Sequence, residues 1–333
     1  MKTNREILAE LDGLVYGHQE AKKALIVAVQ RSKQRHNQEF NLRVSSEDLI
    51  PVLNTLLIGQ SGTGKTFLIE SLAKIMDFPL YKVDATHLNP TGNSTGLNPK
   101  QLREDILKYA NELVSDTKRP YFSVAGTIAQ MVVFVDEVDK LANSFDSTGN
   151  WNAHVQASFL TMLEDKGTLQ GITWVFAGAF STLFNSKPLG RDIGFNASIE
   201  TKETPKIDDV AIIKAGLLPE FVGRIGLISM LTEFKEEDYR IVLDTRIIPA
   251  MERNLSHLKV VFSDVERKDI ATQAQKSNQG IRHLQRDVNA KYVEAEFEGT
   301  FEPKRIQHND MFDMFVDGMT EDELANAFSP LTD

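Results

Sequence analysis

The sequence predicts an α/β fold, a parallel sheet covered by helices and joined to a smaller, mainly helical C-terminal lobe. Three observations predict it. Short apolar runs at Val52–Ile58, Pro79–Val83, Met131–Val135 and Ile172–Ala177 read as buried strands. Segments with helical spacing, about 65–76, 100–115 and 152–164, alternate with those strands, which favours parallel pairing with crossover helices. After about residue 232 the strand signals stop and helical periods follow over 236–255, 264–276 and 281–297.

Taken in order, residues 3–36 are helical in period. Leu8, Leu11 and Leu14, then Ala21, Leu25, Val27 and Val29, recur near helical spacing and are interrupted at Gly17. Residues 37–50 are polar and read as a loop. Pro90, Gly92, Gly96 and Pro99 mark a loop over 86–99, and 185–207 reads as a long exposed loop. A chain of 333 residues exceeds one compact core. The expected division is a large α/β domain over 1–230, a small helical domain over 231–316 and a mobile acidic tail over 317–333. That tail holds five acidic residues and no basic one.

Composition excludes several function classes. A net charge of −10 argues against general adhesion to nucleic acid or anionic membrane. The absence of cysteine excludes disulfides, Fe–S clusters, thiolate zinc sites and a Cys nucleophile. The seven histidines show no HExxH spacing. The longest charge-free stretch, Gly167 to Ser186, is broken by polar residues, so no membrane span is expected. The charged N-terminus lacks the apolar core of a signal peptide, and the expected compartment is the cytoplasm.

Two motifs carry chemistry. Gly59-Gln60-Ser61-Gly62-Thr63-Gly64-Lys65-Thr66 matches G-x4-G-K-[ST] between a strand and a helix. Its glycines let backbone N–H groups face phosphates, and the helix N-terminus adds partial positive charge. Lys65 would reach the β- and γ-phosphates of ATP, and Thr66 would hold Mg²⁺. Phe67 follows directly and is counted with the cofactor-binding residues. The second motif, Val132-Val133-Phe134-Val135-Asp136-Glu137, delivers two carboxylates to the sheet's C-terminal edge. Asp136 would hold Mg²⁺, and Glu137 would orient and polarise the attacking water. Asp139 and Lys140 read as solvated. These motifs define a nucleotide hydrolase and no particular substrate.

Other segments resemble the ClpX branch of AAA+ unfoldases. They are Leu14-Val15-Tyr16-Gly17-His18-Gln19-Glu20-Ala21-Lys22, Asp84-Ala85-Thr86, Gly178-Ala179-Phe180, Gly216-Leu217-Leu218-Pro219-Glu220-Phe221-Val222-Gly223-Arg224 and Gly280-Ile281-Arg282-His283-Leu284. The likeness runs collinearly from about residue 5 to 300. It implies that Arg224 is a finger entering a neighbouring subunit's site, and hence a homohexamer. It also implies that Arg282 contacts phosphate from the subunit's own small lobe. Val15, Tyr16 and Ile281 become candidates for packing near adenine, with ordinary core as the equal alternative.

The sequence departs from that family in three places. The family's cysteine-bound zinc domain has no counterpart. Where the family's first pore loop carries an aromatic, this chain reads Gly92-Asn93-Ser94-Thr95-Gly96, so Asn93, Ser94 and Thr95 offer little apolar grip. Either the grip is weaker, or Leu97 or Trp151 supplies it, with core packing as the alternative role for Trp151. The basic loop before the sensor-1 strand is reduced to Asp165–Gly171. Ile193-Gly194-Phe195 is kept at the place where the family docks a ClpP-type peptidase. The resemblance thus implies a protein unfoldase or remodelling ATPase with a protein substrate, which feeds a ClpP-type peptidase if Ile193-Gly194-Phe195 docks one and remodels without degradation if Ile193 and Phe195 fold back on their own subunit. A nucleic-acid motor or loader stands as the alternative.

Overall fold

The computed structural model describes residues 2–88, 98–116, 123–142, 151–185, 207–277 and 279–299. Two helices open the chain, α1 (Asn4–Leu14) and α2 (Gln19–His36). Thr3 and Glu6 cap α1 reciprocally, each side chain bonding the other's backbone N–H. Next come β1 (Thr55–Ile58), α3 (Lys65–Met76), β2 (Leu80–Asp84), α4 (Pro99–Ser115), α5 (Val124–Ala129) and β3 (Val132–Asp136). They are followed by α6 (Trp151–Leu163), β4 (Thr173–Gly178), α7 (Ser181–Asn185), α8 (Asp209–Lys214), α9 (Pro219–Val222) and β5 (Leu227–Met230). The last helices are α10 (Glu236–Val242), α11 (Ile248–Asn254), α12 (Asp264–Lys276) and α13 (Ile281–Phe297).

The five strands form one parallel sheet in the order β2-β3-β4-β1-β5. Successive side chains of a strand point to opposite faces, and both faces here are covered. Val133, Val135, Trp174 and Phe176 enter one buried cluster. Val132, Phe134, Val175 and Ala177 enter the other, against α1, α2 and α3. Burial on both faces explains why these strands read as continuous apolar runs instead of alternating ones.

The helices after β5 build a third core around Phe234, Leu243, Leu284, Val288 and Tyr292. Two short π-helical stretches occur, the first outside the expected pattern and the second within the segment 236–255 expected to be helical. Residues Asn37–Asn41 extend α2 where a loop was expected, and Leu243–Ile247 joins α10 to α11. The strand β5 also went unread. Its four residues, Leu-Ile-Ser-Met, are too few to show a period, and pairing with β1 makes them a strand.

Candidate active site

The crevice forms where the strand order reverses. β1 ends in the glycine loop and β3 ends in Asp136, with β4 between them, the position at which open α/β sheets bind ligands. Gly59 N–H donates to Gly178 O at 3.1 Å, which ties the start of the loop to the end of β4. Gly62 and Gly64 adopt φ of 76° and 91°, a region glycine enters without steric cost.

Within that loop Lys65 Nζ donates to the carbonyls of Gly59 and Gln60 at 2.6 and 3.1 Å. Burial draws the Lys65 pKa below the usual ammonium value, and the carboxylates of Asp136, Asp139 and Glu137 oppose that shift. Thr66 Oγ1 donates to Asp136 Oδ2 at 2.7 Å. A hydroxyl and a carboxylate meeting beside a phosphate loop fit a hard cation that also takes phosphate oxygens and water. Among the described residues no group of three His, Cys, Asp or Glu side chains is placed to hold a metal, so those residues offer no closed metal cage.

Glu137 has a left-handed backbone, φ 56°, unusual for a residue with a side chain. Its N–H donates to Asp136 Oδ1 at 2.9 Å. Its side chain is exposed, and no hydrogen bond or ion pair holds the carboxylate among the described residues. Backbone strain that projects a free carboxylate at a strand end is a common mark of a working group. Asp139, expected to be solvated, instead accepts from Ala179 N–H at 3.0 Å with its side chain 13% exposed. A Cβ on Gly178 would lie 2.8 Å from that carboxylate oxygen, so Gly178 and Asp139 together fix the end of β4 beside Glu137.

The helical lobe touches the loop directly. Ile281 N–H donates to Gly62 O at 3.1 Å, and Arg282 Nη1 donates to Ser61 Oγ at 3.3 Å. A Cβ on Gly62 would lie 1.9 Å from Gln279 O, which leaves no room for any other residue there. Val15 is buried in the core over α1–α3. Tyr16 and Ile281 pack against the helical-lobe core, and Tyr16 Oη donates to Asp238 Oδ1 at 2.9 Å. Phe67 is 53% exposed on the first turn of α3.

Arg224 lies elsewhere. Its guanidinium pairs with Glu164, both side chains about half exposed, and no bond links it to residues 59–66 among the described residues. Its backbone is held by Asn54, whose Nδ2 donates to Arg224 O at 3.3 Å while its Oδ1 accepts from Trp174 N–H at 3.1 Å. Gln156, fully buried, donates to Leu141 O at 2.7 Å and accepts from Leu218 N–H at 2.7 Å. It thereby braces the turn after Glu137 against the segment that leads to Arg224. Asn54 and Gln156 escaped the sequence reading. The signal for Gln156 was a lone amide between Val155 and Phe159 on an apolar helix. Asn93, Ser94, Thr95, Ile193, Gly194 and Phe195, the side chain of Trp151 and the acidic tail lie outside the described residues.

His18 also escaped notice as more than part of a segment. It is 2% exposed, and burial pushes its pKa down to about 4 from 6.5. The bond to Thr63 O and the Asp238 charge oppose that shift, and Lys22 adds to it. Between pH 6.5 and about 4 the unfolded chain binds a proton that the folded chain refuses, so stability falls as pH drops through that window. The expected loss from this group between pH 7 and 5 is about 2 kcal/mol. Urea midpoints at the two pH values should therefore differ less in His18→Gln than in the native protein. An equal difference in both would show that His18 does not titrate this way.

Among the described residues no helix is long and apolar enough to cross a membrane. Residues 55–192 match the family described as ATPase family associated with various cellular activities (AAA). The chain is also 26% identical to the ATP-dependent Clp protease ATP-binding subunit ClpX of Treponema denticola, over 89% of this chain and 77% of that protein. Residues 55–192 thus carry an AAA-type ATPase module, and the chain is similar to a ClpX subunit over most of its length.

Proposed function

We propose that this protein works as a homohexameric ring that uses ATP hydrolysis to remodel or unfold protein substrates. In that ring Lys65, the loop amides and Arg282 bind the phosphates, with Thr66 and Asp136 holding Mg²⁺. The cation supplies charge neutralisation at the β- and γ-phosphates. Glu137 accepts a proton from the attacking water and directs it in line. Val15, Tyr16, Phe67 and Ile281 border the base. Residues 1–230 and 231–316 are the moving parts, hinged at the strap after β5.

One observation carries this reading: the Arg224 carbonyl is bonded by Asn54, while its guanidinium is exposed and makes no bond to its own glycine loop among the described residues. An arginine so placed is available to a neighbour's γ-phosphate, and a finger supplied in trans requires a ring. The Glu164 pair is solvent-exposed, so exchanging it for phosphate costs little. The ClpX relative supports a protein substrate, and its name, subunit of a Clp protease, supports a peptidase partner of the ClpP type.

The test compares ATPase rates with an unfolded protein and with single-stranded DNA added in turn. Stimulation by the unfolded protein alone is the expected result. Stimulation by DNA alone would replace this reading with a nucleic-acid motor.

A further inference from the structure

His18 joins three segments that are remote in sequence. Its Nδ1 accepts from Thr232 N–H at 3.0 Å, in the strap between β5 and α10. Its Nε2 lies 2.9 Å from Thr63 O, in the middle of the glycine loop. An acceptor at Nδ1 fixes the tautomer: the single proton of the neutral ring is on Nε2 and is donated to Thr63. The ring also lies flat on Phe234, with centroids 4.8 Å apart and planes 7° apart, and Phe234 belongs to the helical-lobe core.

The contact is held under strain. His18 has φ 57°, a left-handed conformation at the start of α2, which is unfavourable for a residue with a full side chain. The preceding Gly17 has φ 68°, and a Cβ there would come within 3.1 Å of the Phe234 ring. Thr63 in turn bonds back within the loop, with Oγ1 donating to Gln60 O at 2.8 Å. A fixed Thr63 carbonyl therefore fixes the turn that aims the loop's amides.

We propose that His18 is a positioning residue of the ATPase reaction, its neutral imidazole bridging the phosphate loop to the interlobe strap. Movement of the strap with the helical lobe reaches the loop through this ring, and phosphate binding reaches the strap by the same route. The bridge needs a donor on one side and an acceptor on the other, which a packing residue does not. The proposal rests on Gly59–Thr66 being the phosphate site.

Two variants separate the bridge from packing. His18→Gln keeps an N–H donor at the ε position, within reach of Thr63. His18→Asn keeps an acceptor at the δ position facing Thr232 and removes the donor to the loop. Asparagine tolerates the left-handed backbone better than glutamine, so backbone strain acts against the expected order. With the full chain, ATP KM and Kd should rise about tenfold in His18→Asn, the worth of one buried hydrogen bond. They should stay within about twofold of native in His18→Gln. Without nucleotide, the thermal midpoint of His18→Asn should be no lower than that of His18→Gln. Equal affinities in the two variants, or losses that follow the thermal midpoints, would make His18 a packing residue and overturn the proposal. Lys65→Ala is the control. If it binds ATP as the native protein does, the loop itself is not the phosphate site and the proposal falls with that reading.

Discussion

Glu137→Gln is expected to bind ATP with native affinity and to hydrolyse it about 10² to 10⁴ times more slowly, the range lost when a general base is removed. The substitution keeps the shape and removes the charge. No hydrogen bond or ion pair in the described structure uses that charge, because the side chain is exposed and only the backbone N–H is engaged, with Asp136, and of the three carboxylates near Lys65 it acts on the ammonium least. The left-handed turn at Glu137 belongs to the backbone and is braced by Asp139 on Ala179 N–H and by Gln156 on Leu141 O. Fold and phosphate contacts should therefore survive. The check is single-turnover hydrolysis beside equilibrium nucleotide binding. Native turnover would remove Glu137 from the mechanism.

Arg224→Ala is the second large effect. A guanidinium facing the transferring phosphoryl group is worth about 10³ to 10⁵ in turnover. The same change removes one exposed ion pair with Glu164, whose contribution to stability is about 1 kcal/mol or less. Turnover and stability thus part company: steady-state ATPase should collapse while the thermal midpoint and ATP affinity barely move. A surface salt bridge with no role in hydrolysis would leave turnover unchanged.

Legibility followed the kind of physics that placed each residue. The glycine loop, Thr66, Asp136 and Glu137 could be read because each is set by local backbone chemistry: a strand that must be apolar, a turn that must be glycine, a helix that must start. The helices over 264–276 and 281–297 were legible for the same reason, and Ser263 and Glu266 even spell the cap of α12. β5 was not legible, since four residues carry no period and its pairing with β1 spans the whole large lobe. Nor were the buried polar braces. His18, Asn54 and Gln156 act through partners 15 to 214 residues away, and one sequence gives no sign of such pairings. Asp139 was read as solvated because its partner, the Ala179 amide, comes from a different strand end.

A finger supplied in trans makes a demand that no single-subunit enzyme makes, and mixing subunits tests it directly. Glu137→Gln keeps the finger and lacks the base, whereas Arg224→Ala keeps the base and lacks the finger. Each alone should be nearly inactive. Mixed one to one and allowed to exchange, a complete site forms wherever an Arg224→Ala subunit receives the finger of a Glu137→Gln neighbour, so about a quarter of native turnover should return by random assembly. A mixture no more active than the two preparations added together would contradict the account, because Arg224 would then not act across a subunit boundary.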